Sequence, residues 1–204
     1  EIEYIEYADG ARDTFNKDIS EMPQQTQSGN AEIYDIGSYY NKNGVEGIVI
    51  ATTAGGAHGT VISLDETTCA WSTIERKKLV HCGCTEKIDG RKNMAILEQF
   101  IADNNLSWDD FPAAKWCKDK GEGWYLPAKN ELVDIYDKKE WINDILLSNG
   151  FDELGPKEGN SAGSVWSSTE YSSHYAYRMY FSNSFMGNYD KQYKCGVRAV
   201  RVIK

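Results

Sequence analysis

Two backbone periodicities divide this chain. β-branched, strand-like runs stand toward both ends, and apolar residues at helical spacing are confined to the middle. Residues 47–52 (GIVIAT) and 59–64 (GTVISL) are β-branched, and the Gly-rich stretch 53–58 between them reads as the turn of a hairpin. Residues 69–72 (CAWS) give a further short strand. Helical signals then take over: Met94, Leu97 and Ile101 fall at i, i+3 and i+7 within residues 93–102. Pro112 opens a second helix, because a missing N–H costs nothing in the first turn, and Gly121 and Gly123 end it beyond Trp116 and Cys117. A short strand at 124–126 leads into Pro127 and a third helix, with Leu132, Val133, Ile135 and Tyr136 on its apolar stripe. Trp141, Ile142, Ile145 and Leu146 extend that helix or form a fourth, closed at Asn149-Gly150. The C-terminal part returns to strands at 165–168, 176–181 and 196–203, joined by polar and aromatic loops. Central helices with strands on either side predict an α+β fold with mixed or antiparallel sheets, and exclude a regular βαβ alternation.

Upstream, residues 1–7 (EIEYIEY) fit a short strand, and the polar stretch 8–30 carries MPQQTQSG. This predicts an extended leader or linker over residues 1–30 and one compact domain over 31–204. A composition 41% apolar and 26% charged suits a packed globular domain, not a disordered chain. No apolar run approaches the roughly 18 residues that a membrane-spanning helix needs. The net charge is -9 and the basic residues are scattered, apart from Arg76-Lys77-Lys78, so nucleic acid is excluded as an expected partner. Five cysteines leave at least one unpaired within the chain and are too sparse for a disulfide scaffold. The sequence opens at Glu1 without a basic-then-apolar leader, which leaves a removed leader open.

Three ordered motifs carry a family resemblance. Residues 121–132 (GEGWYLPAKNEL), 165–170 (VWSSTE) and 196–201 (GVRAVR) resemble the signatures of the Legionella collagen-like protein C-terminal domain family, also described as a domain of unknown function. Upstream, Tyr39-Tyr40 to Gly47, His58-Gly59 and residues 69–73 (CAWST) resemble the version found in Bacteroides surface lipoproteins and fimbrillin-associated proteins. The resemblance covers residues 33–203 and implies a C-type-lectin-like fold, shared with formylglycine-generating enzymes. It also implies paired termini and a ligand face on long loops before the last strand, here residues 171–194. Location at the extracellular or outer-membrane surface follows from it, with a lipid anchor on the full-length precursor.

Several residue groups invite chemistry. His81-Cys82-Gly83-Cys84 packs three soft ligands into four residues, and zinc would need a fourth such as His58, although the spacing is not C-x-x-C. Calcium would suit a lectin. The sugar-binding tripeptides Glu-Pro-Asn and Trp-Asn-Asp of C-type lectins are absent, but Asp152, Glu153, Glu158 and Asn160 offer oxygens, as any exposed acidic loop does. A thiol nucleophile would need Cys117 or Cys195 beside His58, His81 or His174, and no sequence context pairs them. The expectation is therefore no enzyme and no cofactor, with calcium left open.

The tyrosine-rich segment is the candidate binding surface. Its composition of Tyr, Ser, Asn and Gly matches that of antibody contact loops, where Tyr gives large area at low entropy cost. The candidate ligand residues are His174, Tyr175, Tyr177, Arg178, Tyr180, Asn183, Asn188, Tyr189, Asp190 and Tyr193. On a strand, Tyr175, Tyr177, Met179 and Phe181 share one face, while His174, Ala176, Arg178, Tyr180 and Ser182 share the other. One face must be core, so about half of these aromatics are packing residues. The segment also resembles the variable region of diversity-generating retroelement target proteins. The expected function is a surface adhesion module for a glycan or an extracellular protein, with a pilus or surface complex as a further partner. The alternatives are a structural fimbrial or lipoprotein subunit whose N-terminal strand docks into a neighbour, and a retroelement variable protein.

Overall fold

The computed structural model describes residues 4–6, 12–14, 26–28, 31–42, 44–155 and 163–204. Two short antiparallel pairs come first: β1 (Tyr4–Glu6) with β2 (Arg12–Thr14), and β3 (Thr26–Ser28) with β4 (Ala31–Ile33). Where residues 1–30 are described they are therefore strands, and the rest of that expected leader lies outside the described residues.

Two five-stranded sheets follow. The first is antiparallel throughout. It holds β5 (Tyr39–Lys42), β6 (Val45–Thr52), β7 (Gly59–Ile62), β14 (Val200–Ile203) and β9 (Trp124–Tyr125), in that order. The second holds β12 (Met186–Asp190), β11 (Tyr175–Tyr180), β10 (Ser164–Glu170), β13 (Lys194–Val197) and β8 (Thr67–Ala70), with β10 and β13 parallel. Between β8 and β10 come the helices α1 (Gly90–Asp103), α2 (Pro112–Asp119), α3 (Lys129–Tyr136) and α4 (Lys139–Ser148). The α+β class, with mixed and antiparallel sheets and central helices, is thus observed.

Local chemistry sets the helix ends. Asp89 caps α1 by accepting from the Arg91 N–H at 3.0 Å. Pro112 occupies the first turn of α2. Helix α3 begins two residues after Pro127 rather than at it. Its third residue, Glu131, reaches back to accept from the Ala128 N–H at 2.8 Å, which is half of a capping box.

The sheets are buried on both faces, and alternation sorts their side chains into two cores. Val49, Val61, Trp166, Ala176, Val197 and Ile203 pack with Leu97 of α1 and Cys117 of α2. Ile48, Ile50, Ile62, Val165, Met179 and Val200 pack with Leu132 of α3 and Ile142 and Leu146 of α4. Strand β11 sends Ala176 into the first core and Met179 into the second, while Tyr175, Tyr177 and Tyr180 stay partly exposed, so both faces contribute core residues where one core face was expected.

Two strand boundaries also differ from expectation. Residues 196–203 were expected as one strand, but they split into β13 and β14, which lie in different sheets. The break falls at Arg198 and Ala199, both buried. Arg198 donates to the carbonyls of Ser63 (3.1 Å), Leu64 (2.7 Å), Asp152 (3.0 Å) and Glu153 (3.2 Å), and faces Glu66 at 3.4 Å. That fan of acceptors turns the chain from one sheet to the other. Strand β12 lies in a stretch read as loop. Its sequence, MGNYD, has no β-branched residue, so only pairing with β11 makes it a strand. The C-terminal strand does return to a sheet, between β7 and β9, while the start of the domain meets the C-terminus through the Tyr34 hydroxyl, which donates to the Lys204 carbonyl at 2.8 Å.

The motif residues have structural work. Trp166 is fully buried, and its Nε1 donates to the Cys69 carbonyl at 3.0 Å. Truncating such a side chain to alanine costs about 3–5 kcal/mol. Pairing with β11 is interrupted between Trp166 and Glu170, so the intervening polar groups bond elsewhere. Ser168 N–H donates to the Pro127 carbonyl (2.8 Å), and Thr169 Oγ1 donates to the Glu86 carbonyl (2.7 Å). This stitches the second motif to the first.

Candidate functional site

Strands β11 and β12 form a hairpin whose register sets Tyr175 opposite Asp190 and Tyr177 opposite Asn188. After β12 the chain turns sharply. Asp190 Oδ1 accepts from the Gln192 N–H at 3.0 Å, and the Asp190 carbonyl accepts from the Tyr193 N–H at 3.0 Å. The turn folds Tyr193 back onto Tyr189, with ring centroids 4.9 Å apart and planes 28° apart. A second loop approaches from the β8 side. Gln192 Nε2 donates to the Ile74 carbonyl at 2.9 Å, and Arg76 pairs with Asp190. Arg76, Tyr175, Tyr189, Asp190, Gln192 and Tyr193 then line an open cleft of about 680 Å³.

The cleft is amphipathic. Arg76 Nη2 donates to the Tyr175 hydroxyl at 3.4 Å, and its guanidinium carbon lies 5.7 Å from the Tyr175 ring centre. The Arg76 side chain is 48% exposed, so its pair with Asp190 contributes little stability and can be exchanged for a ligand's acceptor at small cost. The stacked Tyr189 and Tyr193 rings, with Tyr193 53% exposed, supply an apolar wall. Rings, an amide and an ion pair are groups that can hold a ligand, and among the described residues neither a thiol nor an imidazole lines the cleft.

Four of the ten candidate ligand residues line this cleft: Tyr175, Tyr189, Asp190 and Tyr193. The others lie elsewhere. Arg178 is buried, sandwiched between the rings of Tyr189 (3.5 Å) and Tyr180 (4.5 Å), and donates to Ser164 Oγ at 3.4 Å. It supports the cleft's wall from behind. Tyr180 bonds Arg178 and packs on Phe185. Tyr177 packs edge-on against Tyr171 at 5.5 Å, with Lys129 Nζ 4.2 Å from its ring centre. Asn183 accepts from the Phe185 N–H at 3.1 Å and so builds the hairpin turn. Asn188 is exposed on β12. His174 Nδ1 contacts Ser173 Oγ at 2.9 Å, and the His174 carbonyl accepts from Lys191 N–H. Arg76 and Gln192 were missed. Arg76 is remote in sequence, and its one signal was the short basic cluster.

The candidate metal and thiol groups are engaged otherwise. Glu170 and Lys191 form an ion pair with both side chains fully buried. The Glu170 carboxylate accepts from the N–H groups of Cys82 (3.1 Å) and Cys84 (3.0 Å), and His81 Nδ1 lies 3.2 Å from it. The segment with the three soft ligands is therefore a loop folded around a carboxylate. Lys191 also donates to the Ser173 carbonyl at 2.9 Å and sits 4.6 Å from a Trp71 ring centre. Among the described residues no three His, Cys, Asp or Glu side chains gather as a metal-binding group. Glu158 and Asn160 of the proposed calcium set lie outside the described residues, and the Asp152 and Glu153 carbonyls are taken by Arg198. Burial pushes the Cys69 and Cys82 thiols up to about 12 and drives Cys84 and Cys117 higher, which starves them of thiolate at neutral pH. Among the described residues no helix is long and apolar enough to cross a membrane.

No family model matches the chain, and no curated protein matches it. A solved structure does: a fimbrial protein from Bacteroides ovatus, 16% identical in sequence, with a TM-score of 0.57. The match covers 99% of this chain and 48% of that one, so this chain spans about half the length of the protein it resembles. At this identity the likeness is one of fold.

Proposed function

We propose that this chain is a surface-displayed fimbrial-type subunit with a structural or binding role rather than a catalytic one. One observation carries the reading: almost the whole chain, 99%, superposes on a fimbrial protein. The fimbrillin-associated and lectin-like resemblance of the motifs points the same way, as does a site whose chemistry suits holding rather than reacting. On this reading the protein is exported, and a glycan or protein partner and a lipid anchor on the precursor are consistent with it. The test is to shear surface filaments from the source cells and identify their subunits by mass spectrometry. The chain is expected in the filament fraction. Its confinement to the soluble cytoplasmic fraction would contradict the proposal.

A second reading, ligand capture, is favoured by the cleft at the end of the β11–β12 hairpin. Its open shape and stacked tyrosines suit a glycan ring or an extended peptide. The informative variant combines Gln192→Ala with Tyr193→Ala. Both residues reach the cleft, and Tyr193 is largely exposed, so the fold is expected to persist. On a glycan and matrix-protein array, loss of at least tenfold in affinity with an unchanged circular dichroism spectrum is the expected result. Equal binding by both proteins would remove the cleft from consideration. Arg178 is unsuitable for this test because its loss would disturb the core.

A further inference from the structure

Strands β13 and β8 run antiparallel, and their register sets Cys195 directly opposite Cys69, between the pairs Lys194–Ala70 and Gly196–Thr68. Directly opposed residues of an antiparallel pair have Cα atoms about 4.5–5.5 Å apart and side chains on one face of the sheet. A disulfide accepts Cα separations of about 4.4–6.8 Å. Both side chains belong to the same apolar core, where Cys195 is fully buried and Cys69 packs against it. Both stand as thiols in the structure.

We propose that Cys69 and Cys195 are a cross-linking site, joined as a cross-strand disulfide when the chain folds in an oxidising compartment. The oxidant is a small-molecule disulfide such as oxidised glutathione. One cysteine thiolate attacks it and releases a reduced thiol, giving a mixed disulfide. The second cysteine then displaces the other reduced thiol. Two protein thiols are oxidised, one S–S bond of the oxidant is reduced, and two protons leave with the released thiols. The bond fastens an edge. Strand β8 ends its sheet and is held there by β13 alone among the described strands. The closed loop runs from residue 69 to residue 195, and long loops remove the most entropy from the unfolded chain.

The remaining thiols are worse partners. Cys82 and Cys84 are two residues apart on a loop whose N–H groups are fixed on Glu170. Cys117 on α2 is near enough to Cys69 to feel its charge, but it is not opposed to it in any strand register. Burial leaves Cys69 with little thiolate in the finished fold, so the bond forms as β8 meets β13, before the core closes.

The experiment refolds the reduced, unfolded full chain in a glutathione redox buffer, quenches exchange with acid, unfolds the product in denaturant so that buried thiols react, alkylates the remaining thiols and maps the peptides by mass spectrometry. If the chain does not refold, protein produced in an oxidising bacterial periplasm is mapped instead. The expected result is a linked peptide containing Cys69 and Cys195, with two of the five thiols protected from alkylation. Cys69→Ser and Cys195→Ser each remove that peptide, and reduction lowers the thermal midpoint of the wild type by several degrees. A Cys69–Cys117 link would overturn the proposal. So would five alkylable thiols, counted in denaturant, in protein that had refolded natively across the whole redox range. Neither outcome depends on whether the chain enters filaments.

Discussion

Arg198 shows what one residue of the closing motif does. Its guanidinium is almost wholly buried, always charged, and shared among four carbonyls and the Glu66 carboxylate. Burial pushes the Glu66 carboxyl up, and Arg198, together with the Gly155 N–H, opposes that shift. Replacing Arg198 with leucine strands a buried carboxylate and several carbonyls. The expected loss is about 3–5 kcal/mol, read as a fall in the urea midpoint at neutral pH. A loss below about 1 kcal/mol would mean that water reaches these groups and the sheet crossing does not need the arginine. The sequence displayed this arginine inside a recognisable motif but gave no local reason for it. Its partners lie more than a hundred residues upstream, at 63–66, and some forty-five residues upstream, at 152 and 153. The cleft was half legible for the same reason. Tyr175, Tyr189, Asp190 and Tyr193 announce themselves by composition, whereas Arg76 reaches the cleft only through the tertiary fold. Arg178 looked like a surface ligand because its burial depends on two rings, one of them supplied by the neighbouring strand.

At the scale of elements, periodicity carried far. Helices α1 to α3 and the β6–β7 hairpin follow from spacing, proline placement and glycine stops, while spacing alone leaves open the break that separates α4 from α3. Failures came where pairing overrides propensity, as in β12, or where one run of strand residues serves two sheets, as in β13 and β14. The junction of α1, α3 and β9 shows how the first motif works. Glu131 Oε2 accepts from the N–H groups of Gly90 and Ala128, and Oε1 accepts from the Tyr125 hydroxyl. Gly90 is required there, because a Cβ would lie 2.3 Å from the Leu126 carbonyl oxygen. Burial outweighs the three hydrogen bonds and holds the Glu131 carboxyl above its ordinary value of 4.5. The folded state therefore keeps this proton to higher pH than the unfolded chain does. This group's contribution to stability is greatest below the ordinary glutamate value and is lost as pH rises through the raised one. Glu131→Gln does not titrate; its carbonyl oxygen can keep both backbone N–H donors, and its NH₂ then faces the Tyr125 hydroxyl, which must turn from donor to acceptor, at a cost of about 1 kcal/mol. The stability gap between wild type and Glu131→Gln is expected to narrow from about pH 4 to about pH 7. A gap that widens over that range would mean the carboxylate is stabilised, not strained, by its site.

Among the described residues, the two large sheets share cores with two pairs of helices, and the three motifs meet in a single stitched region. The first motif's Pro127 carbonyl accepts from Ser168 of the second, and Lys129 N–H donates to Thr169 Oγ1 at 3.1 Å. The third motif supplies both β13 and β14, the two strands that bond these sheets to β10 and β9. Ordered motifs in the sequence were thus legible as one scaffold. What that scaffold is for was not, because fold and function are separable and the polar residues that define a site are few. We propose that the scaffold is displayed as a subunit of a surface filament. Immunogold electron microscopy of intact, unpermeabilised source cells, with antibody raised against this chain, tests it most directly. Gold particles are expected at the cell surface and along filaments; label that appears only after permeabilisation would rule surface display out.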